Sequence, residues 1–168
     1  MTARSQPPPT SKQQRGRLLV LGHRLLRADR RAVLRAARRV FRAANTDVDV
    51  GLVFVHDLEM RALNRAWRKK DAPTDVLSFP VHDGEPMPGD ESVLGDLVIS
   101  VDTARRQARA LGHGVDIEVA VLVAHGICHL AGLDHERGAD DAAAQLAAER
   151  TLLACARVDV RAALADRA

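Results

Sequence analysis

The chain has 168 residues, 46% of them hydrophobic types, which is one domain's length with apolar content enough for a core. No run approaches the roughly 18 to 20 apolar residues that a membrane span requires. The two cysteines, Cys128 and Cys155, form neither a CxxC metal pattern nor a disulfide framework, so both are expected as small buried thiols in a reducing cytoplasm.

The net charge of +3 conceals an asymmetry. Residues 1–70 hold 17 Lys+Arg against 5 Asp+Glu, and residues 71–168 hold 8 against 17. Such a division suits a polyanion-facing surface. It is equally what Arg and Ala enrichment from genome base composition produces, because only three of the 25 basic residues are Lys. Residues 1–16 lie within a basic, Pro-rich stretch, "MTARSQPPPTSKQQRGR", with no apolar signal core. They are expected to be a disordered tail. Residues 17–168 are expected to form the single folded domain.

In chain order, "RLLVLGHRL" (17–25) predicts a first strand. Residues 27–45 predict a helix with Val33, Ala37, Val40 and Ala44 facing the core, and arginines over much of its solvated side. "VDVGLVFVHD" (48–57) predicts a buried strand, and residues 57–71 a short helix with Asp57 as N-cap. "TDVLSFPVH" (74–82) predicts a strand that Pro80 confines to an edge or an end. "DGEPMPGDES" reads as a loop and residues 93–102 as a further strand. A helix follows, which Gly112 can end. "VDIEVAVLVAHGICHLAG" (115–132) is apolar on nearly every side before His125, as interior helices are. A last helix covers 139–158. The expected class is α+β, a mixed α/β domain. About four strands form a mixed sheet packed with about five helices, and a metal site lies at the end of the buried helix.

That site rests on "HGICHLAGLDHE" (125–136). Side chains four apart on a helix share one face, with Cβ atoms about 5–6 Å apart. His125 and His129 can therefore hold one ion, and Gly132 lets the chain turn so that His135 folds back as third ligand. Three neutral imidazoles with an open position form a catalytic zinc arrangement, and nickel, cobalt or copper also suit them. Asp134 and Glu136 flank His135, either to orient an imidazole or, for Asp134, to cap the turn. The spacing is close to the HExxH of zinc proteases, but Gly126 stands where the glutamate base would be. Peptide hydrolysis is disfavoured and phosphodiester cleavage favoured, with the missing side chain expected to leave room for a phosphate.

A second cation is offered by "LNRAWRKKDAPTDVLSFP" (63–80), where Arg68, Lys69 and Lys70 precede a turn at Pro73. Arg68 supplies a planar fork for phosphate oxygens. Trp67 is either a stacking face for a base or a core aromatic. Thr74, Asp75 and Ser78 are expected to fix the loop by local hydrogen bonds.

These segments, with "LGDLVIS" between them, closely resemble the YbeY family of endoribonucleases and rRNA maturation factors. The likeness is strong over residues 48–136 and weaker in the flanking helices. It implies a single-domain α/β fold with one metal, usually zinc (Zn2+), on His125, His129 and His135. It implies that Arg68, ahead of Lys70 and Asp71, serves RNA cleavage, with Arg68 and Lys70 on the RNA. It further implies 16S rRNA 3′-end processing and ribosome quality control, with rRNA and the small ribosomal subunit as partners and no membrane. Cys128, Ala131 and Leu133 depart from the family's bulkier aliphatics and frequent Tyr. Two other readings compete: a non-catalytic ribosome-assembly factor with a structural metal, and a zinc metalloprotease, against which Gly126 argues.

Overall fold

The computed structural model describes residues 15–21, 27–81, 93–135 and 137–159. Its elements follow in the order β1 (Leu18–Leu21), α1 (Arg27–Ala44), β2 (Asp49–Val55), α2 (Asp57–Arg68), β3 (Val76–Pro80), β4 (Val93–Ser100), α3 (Val101–Ala110), α4 (Val115–Leu130) and α5 (Ala139–Cys155). The expected loop at 83–92, residue Glu136 and residues 1–14 of the expected tail lie outside the described residues.

Among the described residues the sheet runs β1-β2-β4-β3, with β1, β2 and β4 parallel and β3 antiparallel to β4. The mixed α+β class expected from the sequence is the observed one. Pro80 ends β3, which is an edge strand where a missing N–H costs no ladder bond.

Alternation along the strands gives the sheet two covered faces. Val50, Leu52, Phe54, Leu97 and Ile99 belong to the main core, together with Val33, Ala37 and Val40 of α1 and the apolar run of α4. Their neighbours Leu77 and Val98 turn the other way and join Met60 of α2 in a smaller core, with Val53, Val55 and Phe79 against it. Period-2 side-chain direction makes β2 apolar on both faces, which is why it reads as a continuous apolar run. Helix α4 is covered on nearly all sides because it packs on α1, α3, α5 and the sheet.

Several local expectations are corrected. Asp57 is the first residue of α2 and His56 occupies the N-cap position, where its N–H donates to Glu59 Oε2 at 2.9 Å. The Asp57 carboxylate serves tertiary structure instead, accepting from Ser100 Oγ at 2.6 Å, Thr103 Oγ1 at 2.8 Å and Arg106 Nη1 at 2.6 Å. Cys128 is buried, but Cys155 is exposed at the end of α5. Trp67 is 69% exposed, so it is not a core aromatic. The expected tail also reaches slightly too far, because Gly16 N–H donates to Thr46 O at 3.1 Å.

Candidate metal centre

Helix α4 carries His125 and His129 on its last two turns. It stops through a paired C-terminal lock: Gly132 N–H donates to His129 O at 2.9 Å and Leu133 N–H to Cys128 O at 3.0 Å. This geometry places Gly132 at φ +89°, a left-handed conformation costly for residues with a Cβ. The turn brings His135 back beside the helix end. One ligand atom from each of His125, His129 and His135 lies within 4.8 Å of the other two. The ring centroids are 4.5, 5.1 and 5.3 Å apart.

Helix α5 holds this cluster, which the sequence reading did not foresee. Gln145, Glu149 and Leu153 form its buried stripe at four-residue spacing. The His125 Nδ1–H donates to Glu149 Oε1 at 2.8 Å, and Gln145 Nε2 donates to the same oxygen at 3.0 Å. Gln145 Oε1 accepts the His135 N–H at 3.0 Å, tying the returning turn to α5. A polar pair in phase with Leu153 was the available signal, hidden by the Ala-rich helix around it.

The arrangement fits a metal ion. With its Nδ1 proton committed to Glu149, His125 presents the lone pair of Nε2 inward, and His129 Nε2 lies 3.1 Å from it. Burial, then the nearby His125 and His135, holds the His129 imidazole below its ordinary pKa, which favours the neutral ligand form. Neutral nitrogens converging on one point are the donor set that a transition metal takes. Burial and the Glu149 charge push the Cys128 thiol up to about 12, so it is not a thiolate ligand.

Beside the cluster opens a cavity of about 500 Å³ lined by the three histidines, Arg68, Ser78 and Arg137, among others. Arg68 reaches it as the last residue of α2. The next residue, Lys69, turns the chain in the left-handed region at φ +60°. Asn64 Nδ2 then holds Ala72 O at 2.7 Å, and Arg61 grips Asp71 with two hydrogen bonds of 2.9 and 2.7 Å. Lys70 does not line this cavity; its N–H donates to Asn64 O at 3.3 Å.

The Thr74–Asp75 loop is fixed partly as expected and partly from afar. Thr74 Oγ1 and Val76 N–H donate to Asp75 Oδ1, but Oδ2 accepts from Gln107 of α3 at 2.9 Å. Arg137, unforeseen, places its Nε 3.4 Å from Asp134 Oδ2 at the cavity rim.

Gly126 does not open space for a phosphate. A Cβ there would stand 2.5 Å from Leu97 Cδ2 in the main core. Glycine lets α4 approach β4 closely, and position 126 faces the sheet.

Comparison with known proteins matches this geometry to one family. The family model for Endoribonuclease YbeY matches residues 20–155. The Endoribonuclease YbeY of Aquifex aeolicus is 46% identical over 134 residues, covering 79% of this chain and 86% of that protein. The protein of that name from Anaeromyxobacter sp. strain Fw109-5 is 47% identical over 139 residues, covering 83% and 70%. The solution structure of TM1509 from Thermotoga maritima is similar with a TM-score of 0.52 at 25% identity, covering 85% of this chain and 93% of that one. A family match across nearly the whole described fold, joined by relatives almost half identical over most of their length, places this chain in the YbeY family.

Proposed function

We propose that this chain is a metal-dependent, single-strand-specific endoribonuclease. The observation that carries the reading is one cavity lined by both a three-histidine cluster and Arg68. Relatives that are 46% and 47% identical bear the name endoribonuclease, which supports RNA as the substrate.

His125, His129 and His135 hold the ion, zinc being the best match to three imidazoles. Bound there, a divalent ion polarises a phosphoryl oxygen and lowers the pKa of water. Glu149 keeps the Nδ1 proton of His125 in place and so fixes the ring's ligand tautomer. Arg68 takes two phosphate oxygens in its fork and offsets the charge that grows during cleavage. Lys70, outside the cavity, contributes charge along the approaching strand. Peptide hydrolysis is not favoured, because position 126 faces Leu97 and carries no carboxylate.

The physiological substrate in this reading is rRNA. The role is 16S 3′-end maturation and ribosome quality control at the small subunit in the cytoplasm. No single helix among the described residues is long and apolar enough to cross a membrane. The test is cleavage of a defined single-stranded RNA with and without chelator, beside its duplex. Chelator-sensitive cleavage of the single strand is the expected result. Ribosome binding with no cleavage by metal-replete protein identifies an assembly factor with a structural metal instead.

A further inference from the structure

Trp67 is the chain's one tryptophan, and it stands 69% exposed beside the cavity. Its exposure is not an accident of helix phase. Met60 and Asn64 are the buried positions of α2, and Trp67 follows them in the same stripe, seven and three residues on. It points the way the helix's inner face points and meets Phe79 of the edge strand β3 edge to face, with ring centroids 5.5 Å apart and planes at 71°. The indole is thus braced against one ring and largely open to solvent.

Its chain neighbour joins it to the cavity: Arg68 lines the cavity with the histidines, whereas Ser78 and Pro80, which also line it, alternate with Phe79 and point to the other face of β3. Arg65, Lys69 and Lys70 are exposed around it. A braced, flat, solvent-facing indole among cations next to a phosphate-binding pocket is the platform on which unpaired bases stack. A protein partner would be served by a broader apolar patch, whereas the exposed residues next to Trp67 in sequence are Arg65, Arg68, Lys69 and Lys70.

We propose that Trp67 is a nucleobase-stacking subsite that receives a base of the RNA strand lying next to the phosphate held at Arg68 and the histidine cluster. The assignment rests on the endoribonuclease reading and adds a source of single-strand preference, because a paired base cannot offer its face to the indole.

The chain has no tyrosine and one tryptophan, so ultraviolet emission above 300 nm reports on Trp67 alone. The metal-replete full chain is titrated with a short, dye-labelled, single-stranded 2′-O-methyl RNA, recording dye anisotropy and Trp67 emission together. Binding with strong quenching is expected, and an abasic residue at one position of the oligonucleotide should restore the emission. Trp67→Ala should weaken binding roughly 5- to 150-fold at unchanged metal content and melting temperature. Trp67→Phe should recover a good part. Binding with unquenched emission, or wild-type affinity in Trp67→Ala, overturns the subsite while leaving the nuclease reading intact. Loss of metal or folding in Trp67→Ala makes the indole structural and overturns it too. An oligonucleotide that produces no anisotropy change overturns both readings.

Discussion

At the scale of single residues, the proposed function divides ion holding from phosphate handling. His125, His129 and His135 leave no spare ligand, so replacing any one by Ala should reduce bound metal in elemental analysis. Glu149 is outside the converging histidine trio and would act on an ion there through His125. Glu149→Gln should therefore lower metal affinity about 10- to 100-fold, measured by competition with a chelator, while the protein stays folded. Arg68→Ala should keep metal and fold yet slow single-turnover RNA cleavage by about 10²–10³-fold, with Arg68→Lys recovering part of it. Wild-type cleavage by a metal-replete Arg68→Ala protein would remove the phosphate clamp from the scheme. Gly126 offers a stability test. Ala there gains about 1 kcal/mol of helix propensity but crowds the fully buried Leu97, and overpacking of that kind costs about 1–3 kcal/mol. A net loss in urea unfolding is expected, and a more stable variant would show that Leu97 moves aside freely.

At the scale of elements, the sheet's rim is held by carboxylates that bridge helix starts. Asp57 at the first turn of α2 receives Ser100, Thr103 and Arg106 from the β4–α3 corner. Asp102 of α3 in turn accepts the Asp57 N–H at 3.1 Å. Burial raises the Asp57 carboxyl, but hydrogen bonds from Arg106, Ser100 and Thr103 together outweigh it and hold the pKa below the usual range. A carboxyl depressed in the folded state contributes stability that is fully present above its unfolded pKa, about 3.9, and that fades as pH falls through the folded value. Asp57→Asn should thus lower stability at neutral pH and flatten the acid limb of the curve below about pH 4. Equal acid limbs for both proteins would count against the bridge. The same corner sends Ser100 N–H to Asp75 O at 2.8 Å, so α3 braces the loop beside the cavity.

At the scale of the whole molecule, the proposed metal and the core would contribute separately. The main core joins α1, α4 and the sheet without using a histidine of the cluster, so the apo-protein should fold. An ion on the three histidines would tie α4 to the turn that follows it, and any ligand that binds only the native state stabilises it. At a free concentration 100 times its dissociation constant the gain is about 2.7 kcal/mol. Chelation should lower the melting temperature by roughly 5–10 °C for a chain of this size. Identical melting with and without chelator would place no ion in the native state. At the other end, the first hydrogen bonds among the described residues are Gly16 with Thr46 and Arg17 with Asp49, the latter at 2.7 Å. Removing residues 1–14 should leave the melting temperature unchanged, whereas removing Gly16 and Arg17 as well should lower it.

The periodicity of α1, the apolar run of α4 and the initial alternation of β2 were legible because each depends on the direction in which neighbouring side chains point. The histidine trio was legible for the same reason: i,i+4 spacing and a turn at Gly132 are local geometry. Strand order was not, since β2 pairs with β4 across α2 and β3, and no local pattern records which edges meet. Nor were Gln145 and Glu149, which look like surface residues of an Ala-rich helix until α5 lies on α4. Gly126 is the sharpest case. The sequence determined that no carboxylate stands there, while only packing showed that the position faces Leu97 rather than the ion. Trp67 was left between core and stacking face by sequence, and its place at the exposed end of α2 decided it. Local backbone geometry is written in consecutive residues. The burial, partner and exposure of a side chain depend on elements far along the chain, and they are settled only when those elements meet.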